Sequence, residues 1–91
     1  MNQNQEILNR FLDKMTLEKE QIIKEIRSSD LSNTDLLALD EKFLYPFRNE
    51  YLLSVPDVLV TDVYFSGICI DKGISAYLEI SECLVKSNKS L

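Results

Sequence analysis

Between residues 56 and 87 the chain carries more apolar positions than one face of a helix can hold. That surplus limits its folding options more than any other feature. Val58-Leu59-Val60 and Val63-Tyr64-Phe65 are unbroken apolar triplets, so the period of two that marks a half-buried strand is missing. A helical projection at ~100° per residue sorts the segment far better. Asp57, Thr61, Asp71, Lys72, Ser75, Glu79, Glu82 and Lys86 gather in about a third of the circle. Leu59, Val63, Ile70, Ile74, Tyr77 and Leu84 lie opposite them. Beside this stripe runs a second one, made by Val58, Phe65, Cys69, Ala76, Ile80 and Cys83. Together the two exceed the ~100° of an ordinary surface helix.

The projection therefore predicts one helix over about residues 56–87, opened by Ser54-Val55-Pro56-Asp57 as cap, early proline and first-turn acid. Gly67 and Gly73 weaken it, and their expected use is to let a neighbouring backbone come close. The wide face has two readings. Either the helix is central and packs on both others, or one stripe faces a second chain. The stripe assigned to self-association is Val58, Phe65, Cys69, Ala76, Ile80 and Cys83, expected in a two-fold pair. The segment's β-branched and aromatic content supports a competing α+β fold, with a hairpin or edge strand over 58–70.

The remaining segments read as helices too. Leu8, Phe11, Leu12, Met15, Ile22, Ile23 and Ile26 recur at three- and four-residue intervals and predict a helix over about 4–28. Glu6 and Arg10, Lys14 and Glu18, and Glu20 and Lys24 are spaced to pair along its outer side. Thr16 is a candidate local cap. Ser32-Asn33-Thr34-Asp35 resembles a capping box and opens a second helix over about 33–53. Its apolar face is Leu36, Phe43, Leu44, Phe47 and Tyr51, with a kink at Pro46. The expected fold is all-α: one domain over residues 1–91, a three-helix antiparallel bundle with a kinked second helix.

Composition fits a single small core. The 91 residues are 45% hydrophobic and 27% charged, with two Gly and two Pro, too apolar for disorder and too regular for low complexity. Ten basic and fifteen acidic side chains give a net charge of −5, spread along the chain rather than gathered in a tail. An acidic surface argues against direct nucleic-acid binding, which depends on Lys and Arg neutralising phosphates. The N-terminal residues lack the basic and apolar regions of a secretory signal, and no apolar run approaches the ~18–20 residues that span a bilayer. The expected location is the cytoplasm, with Cys69 and Cys83 as free thiols and no membrane partner.

Catalytic groups are scarce. Without histidine there is no usual base near neutral pH, no Ser-His or Cys-His pair and no tetrahedral zinc set from two cysteines. Gly67-Ile68-Cys69-Ile70-Asp71-Lys72-Gly73 has the ingredients of a phosphate loop in the wrong order. Asp40 and Glu41 are adjacent and diverge on a helix. The expectation is a non-enzyme without cofactor or metal. It would act on another protein as an inhibitor, immunity protein or adaptor. Its candidate partner-binding residues are Tyr64, Ile68 and Asp71 on the third helix and Tyr45 and Arg48 at the suspected kink. The rival function is an acidic mimic of nucleic acid, which would need Asp57, Asp62, Asp71, Glu79 and Glu82 to share one face.

Overall fold

The computed structural model describes residues 3–88. It is all-α, with no strand among the described residues. The elements are α1 (Gln3–Arg27), α2 (Leu36–Leu39), a π-turn (Asp40–Leu44), α3 (Tyr45–Tyr51), α4 (Asp57–Val60) and α5 (Val63–Asn88). The hairpin or edge strand considered for 58–70 is absent, and that stretch is helical apart from Thr61 and Asp62. β-Branched residues lower helix propensity only slightly, and burial of one face outweighs that cost.

The two long helices form the frame. α1 and α5 pack along most of their length in a molecule measuring 51 × 19 × 15 Å. Leu8, Met15 and Ile26 are buried on α1, with Phe11, Leu12, Ile22 and Ile23 half-buried around them. On α5 the buried positions are Phe65, Cys69, Gly73, Ala76, Ile80 and Leu84, recurring every three or four residues. At ~100° per residue they span an arc of about 100°, that of an ordinary amphipathic helix. The core follows the long axis as two clusters. Leu8, Leu59, Phe65 and Cys69 fill one end. Met15, Ile26, Leu39, Phe43, Phe47, Tyr51, Ile80 and others fill the remainder, and Phe11 and Leu12 touch both.

The expected third helix is two helices. α4 begins behind Pro56 and stops after one turn at Thr61. The Asp62 side chain then accepts a hydrogen bond from the Phe65 amide at 3.0 Å, and its carbonyl takes the Ser66 amide at 2.8 Å. Asp62 is therefore the N-cap of α5, which explains why the helix restarts there. Ser54, expected as the cap, instead donates its hydroxyl to the Asn49 carbonyl. Neither does the Ser32–Asp35 segment form a capping box. Asp35 is the N-cap of α2 but makes no side-chain cap bond, while Ser32 donates its amide and hydroxyl back to Asp30. These two bonds hold the Asp30 carboxyl below its ordinary value. Thr16 does not restart α1; its hydroxyl bonds the Leu12 carbonyl within an unbroken helix.

The second segment carries a register change. Leu39, Phe43, Phe47 and Tyr51 are all buried at four-residue spacing. In a pure α-helix each such step drifts by ~40°, so the last would lie roughly 120° from the first. The π-turn over 40–44 holds one residue more than an α-turn, and that residue absorbs about 100° of the drift. It lies just ahead of Pro46, whose missing amide and ring both disturb an α-helical ladder. Leu36, placed on the apolar face by periodicity, is 66% exposed, and Leu39 is buried in its stead.

Of the two glycines on α5, one serves close packing. A Cβ at Gly73 would stand 2.6 Å from the end of the Leu52 side chain and 3.4 Å from the Tyr51 carbonyl, so α3 approaches the backbone there. At Gly67 the expectation of a close approach fails, because among the described residues nothing lies within 4 Å of a Cβ placed there.

Two predictions follow from the caps and the core. Replacing Asp62 with Ala removes a cap and should lower stability by about 1 kcal/mol, whereas Asp62→Asn should cost much less; urea titrations compare the two. Tyr51 is 1% exposed and its hydroxyl is buried without a well-formed hydrogen bond. Burial first, and then the nearby carboxylates of Glu18 and Glu50, hold its proton on well above the ordinary value of 10.0. Since the unfolded chain releases that proton more readily, the fold should lose stability as pH rises above about 10. Tyr51→Phe should match or exceed the wild type at neutral pH and lose less on alkaline titration, read by thermal melts at stepped pH.

Candidate functional site

A cluster of polar and aromatic side chains forms where α3 meets α5. The Arg48 guanidinium forks onto Asp40, with Nη1 at 3.3 Å from Oδ1 and Nη2 at 3.5 Å from Oδ2. Nη1 also donates to the Tyr77 hydroxyl at 3.0 Å. The same guanidinium lies 5.5 Å from the Tyr45 ring centre and 5.9 Å from that of Tyr77, within reach of cation–π attraction. Asp40 and then Tyr77 fix the positive charge on Arg48, raising its already high pKa. The guanidinium is thus held in one orientation beside two aromatic rings, with both Nη atoms engaged within the chain.

The local fold puts these groups together. Asp40 opens the π-turn and its carbonyl accepts the Tyr45 amide, so the extra residue sets Asp40 and Tyr45 one wide turn apart. Arg48 follows three residues later on α3. Leu36, four residues before Asp40, is exposed, as is Tyr45 at 53%. The cluster thus combines Arg and Tyr, two residue types enriched among the anchors of protein interfaces.

The other candidates lie elsewhere. Tyr64 is 72% exposed and tilts against Phe65 at 5.7 Å. Ile68 is half-buried against the Leu8–Leu59 cluster, which limits it as an exposed anchor, and Asp71 is exposed. Thirteen residues of helix, ~20 Å, separate Tyr64 from Tyr77, so the structure does not bring Tyr64, Ile68 and Asp71 together with Tyr45 and Arg48. Sequence reading missed Asp40 and Tyr77 in the second group. The signal for Tyr77 was its interruption of an otherwise aliphatic stripe.

The stripe assigned to self-association needs the largest correction. Phe65, Cys69, Ala76 and Ile80 are buried inside the single chain, Cys83 is half-buried and only Val58 is exposed. α1 covers this arc, and burial raises the Cys69 thiol pKa. The large aliphatic side chains that α5 leaves in solvent are Val63, Ile70, Ile74, Leu78 and Val85, three of them from the first stripe. Periodicity detects the width of an apolar face but not which part of it α1 occupies.

The acidic residues do not form one free face. Lys19 on α1 pairs with Glu79 at 2.8 Å, Lys86 with Glu82 at 2.9 Å, and Asp62 is a cap. Of the spaced pairs expected on α1, Lys14 turns instead to Glu50, at 3.0 Å. Lys19, Lys24, Arg27, Lys72 and Lys86 line the shallow grooves between α1 and α5. Among the described residues no group of three metal-ligating side chains converges, and no helix is long and apolar enough to cross a membrane.

No family model, characterised protein or solved structure matches the chain.

The reassigned stripe has a direct test. Phe65→Asp and Ile80→Asp each bury a carboxylate without a partner, which costs several kcal/mol and so approaches the whole stability of a small domain. Both variants should lose most of their helical circular dichroism at room temperature. A well-folded monomer from either would restore these residues to an interface.

Proposed function

We propose that the protein is a small cytosolic protein-binding module, an inhibitor, immunity protein or adaptor that engages a larger protein through Tyr45, Arg48 and their neighbours. The carrying observation is the Arg48 guanidinium held between Asp40 and Tyr77 beside an exposed Tyr45 ring. The scarcity of catalytic groups and the lack of histidine favour binding over catalysis. An acidic mimic of nucleic acid is the weaker reading, because lysines stand among its carboxylates. This reading takes the architecture as a three-helix antiparallel bundle in which α2, the π-turn and α3 are one bent middle arm. Its support is the run of contacts from Asn88 with Leu31, through Arg48 with Tyr77, to Leu52 with Gly73.

The test is capture from the native host on immobilised wild type, on Tyr45→Ala and on Arg48→Ala. A partner held by this surface should bind either variant about 10- to 100-fold more weakly, the usual range for interface anchors. Circular dichroism should show the helices intact. A partner retained equally by both variants would sink the assignment, and one released steeply by moderate salt would move the reading toward the mimic.

A further inference from the structure

From the exposed face of α5 we infer that the protein forms a two-fold dimer in which the α5 helices of two copies pack antiparallel, centred on Ile74. The face is palindromic. Ile70 and Leu78 stand four residues either side of Ile74, Gly67 and Ser81 seven, and Val63 and Val85 eleven. At ~100° per residue all seven fall within an arc of about 80°. Their order of large and small is the same in both chain directions. In an antiparallel pair Ile74 meets its own copy, Ile70 meets Leu78, Val63 meets Val85, and the small residues oppose each other. Ile70 and Leu78 lie on opposite sides of the midline, as do Val63 and Val85, so their side chains interleave. A second copy is the occupant that fits a face with this symmetry.

The aliphatic residues on this face are 46% to 87% exposed, and among the described residues nothing comes within 4 Å of a Cβ placed at Gly67. The flank is complementary as well. A two-fold axis perpendicular to both helices sets like flank against like flank. Tyr64 then comes opposite Glu82 of the second copy, and Ser75 opposite its Asp71, each a hydroxyl facing a carboxylate. Area agrees. The five aliphatics and Tyr64 offer roughly 600–700 Å² per copy, at the small end of stable interfaces. The face does not include Tyr45 or Arg48, and it borders the partner surface proposed above at Tyr77, one turn from Ile74 on the same helix.

Sedimentation equilibrium of the full chain should give twice the 10.5 kDa chain mass, with micromolar dissociation. Ile74→Glu sets two carboxylates against each other on the axis. It should weaken the dimer about 100-fold or more with its helical signal unchanged. Register is checked with a short bifunctional maleimide in a Cys83→Ser background. Val63→Cys mixed with Val85→Cys should cross-link, and Ile74→Cys should cross-link with itself. Val63→Cys alone should not, since its two copies would lie ~33 Å apart. A wild type that stays at the chain mass at high concentration overturns the inference, and so does self-linking of Val63→Cys as fast as the mixed pair.

Discussion

Burial between α1 and α5 is the constraint from which the rest of the structure follows. The molecule is about three times longer than it is wide, so its core is a narrow column rather than a sphere. Each long helix supplies one buried stripe, and neither can bury more by packing on the other alone. The short elements close what remains open. Leu39, Phe43, Phe47 and Tyr51 roof the column over most of its length, and Leu59 seals the end where Leu8 and Phe65 meet. Most of the stability of such a helix pair comes from that packing, because in proteins the burial of an amphipathic face stabilises a helix more than its intrinsic propensity does.

The all-α class was legible in the sequence because it depends only on periodicity. α1 could be read almost residue by residue, since Leu8, Met15 and Ile26 repeat on one face with charges around them. The breaks were harder. Asp62 looked like one more acidic residue on a helix, and its capping role depends on where the preceding turn stops. The π-turn left no separate mark beyond the four-residue spacing of Leu39, Phe43, Phe47 and Tyr51, a spacing that an α-helix would not keep on one side. Leu36 was misplaced for the same reason, being counted on a face whose register shifts after it.

The candidate site was half visible. Tyr45 and Arg48 stand out as exposed types beside a proline, but Asp40 and Tyr77, which orient the guanidinium, come from another turn and another helix. Which part of the broad apolar face on α5 enters the core is set by contacts distant in sequence. Gly73 marks it only in retrospect, because it admits the α3 backbone where Gly67, on the same helix, faces open space.

The π-turn also governs which changes of length the chain can absorb. Between Ser28 and Asp35 the backbone is a connection that buries Leu31 and offers the Leu31 and Thr34 carbonyls to Asn88, so a change of length there disturbs those contacts but no helical register. Inside Asp40–Leu44 the loss of one residue would turn a wide turn into an ordinary one and rotate everything after it by about 100°. Phe47 and Tyr51 would swing out of the column together, and Arg48 would leave Tyr77. A stretch with the same helical appearance as its neighbours therefore fixes the register of everything after it, whereas the adjacent loop holds only its own local contacts.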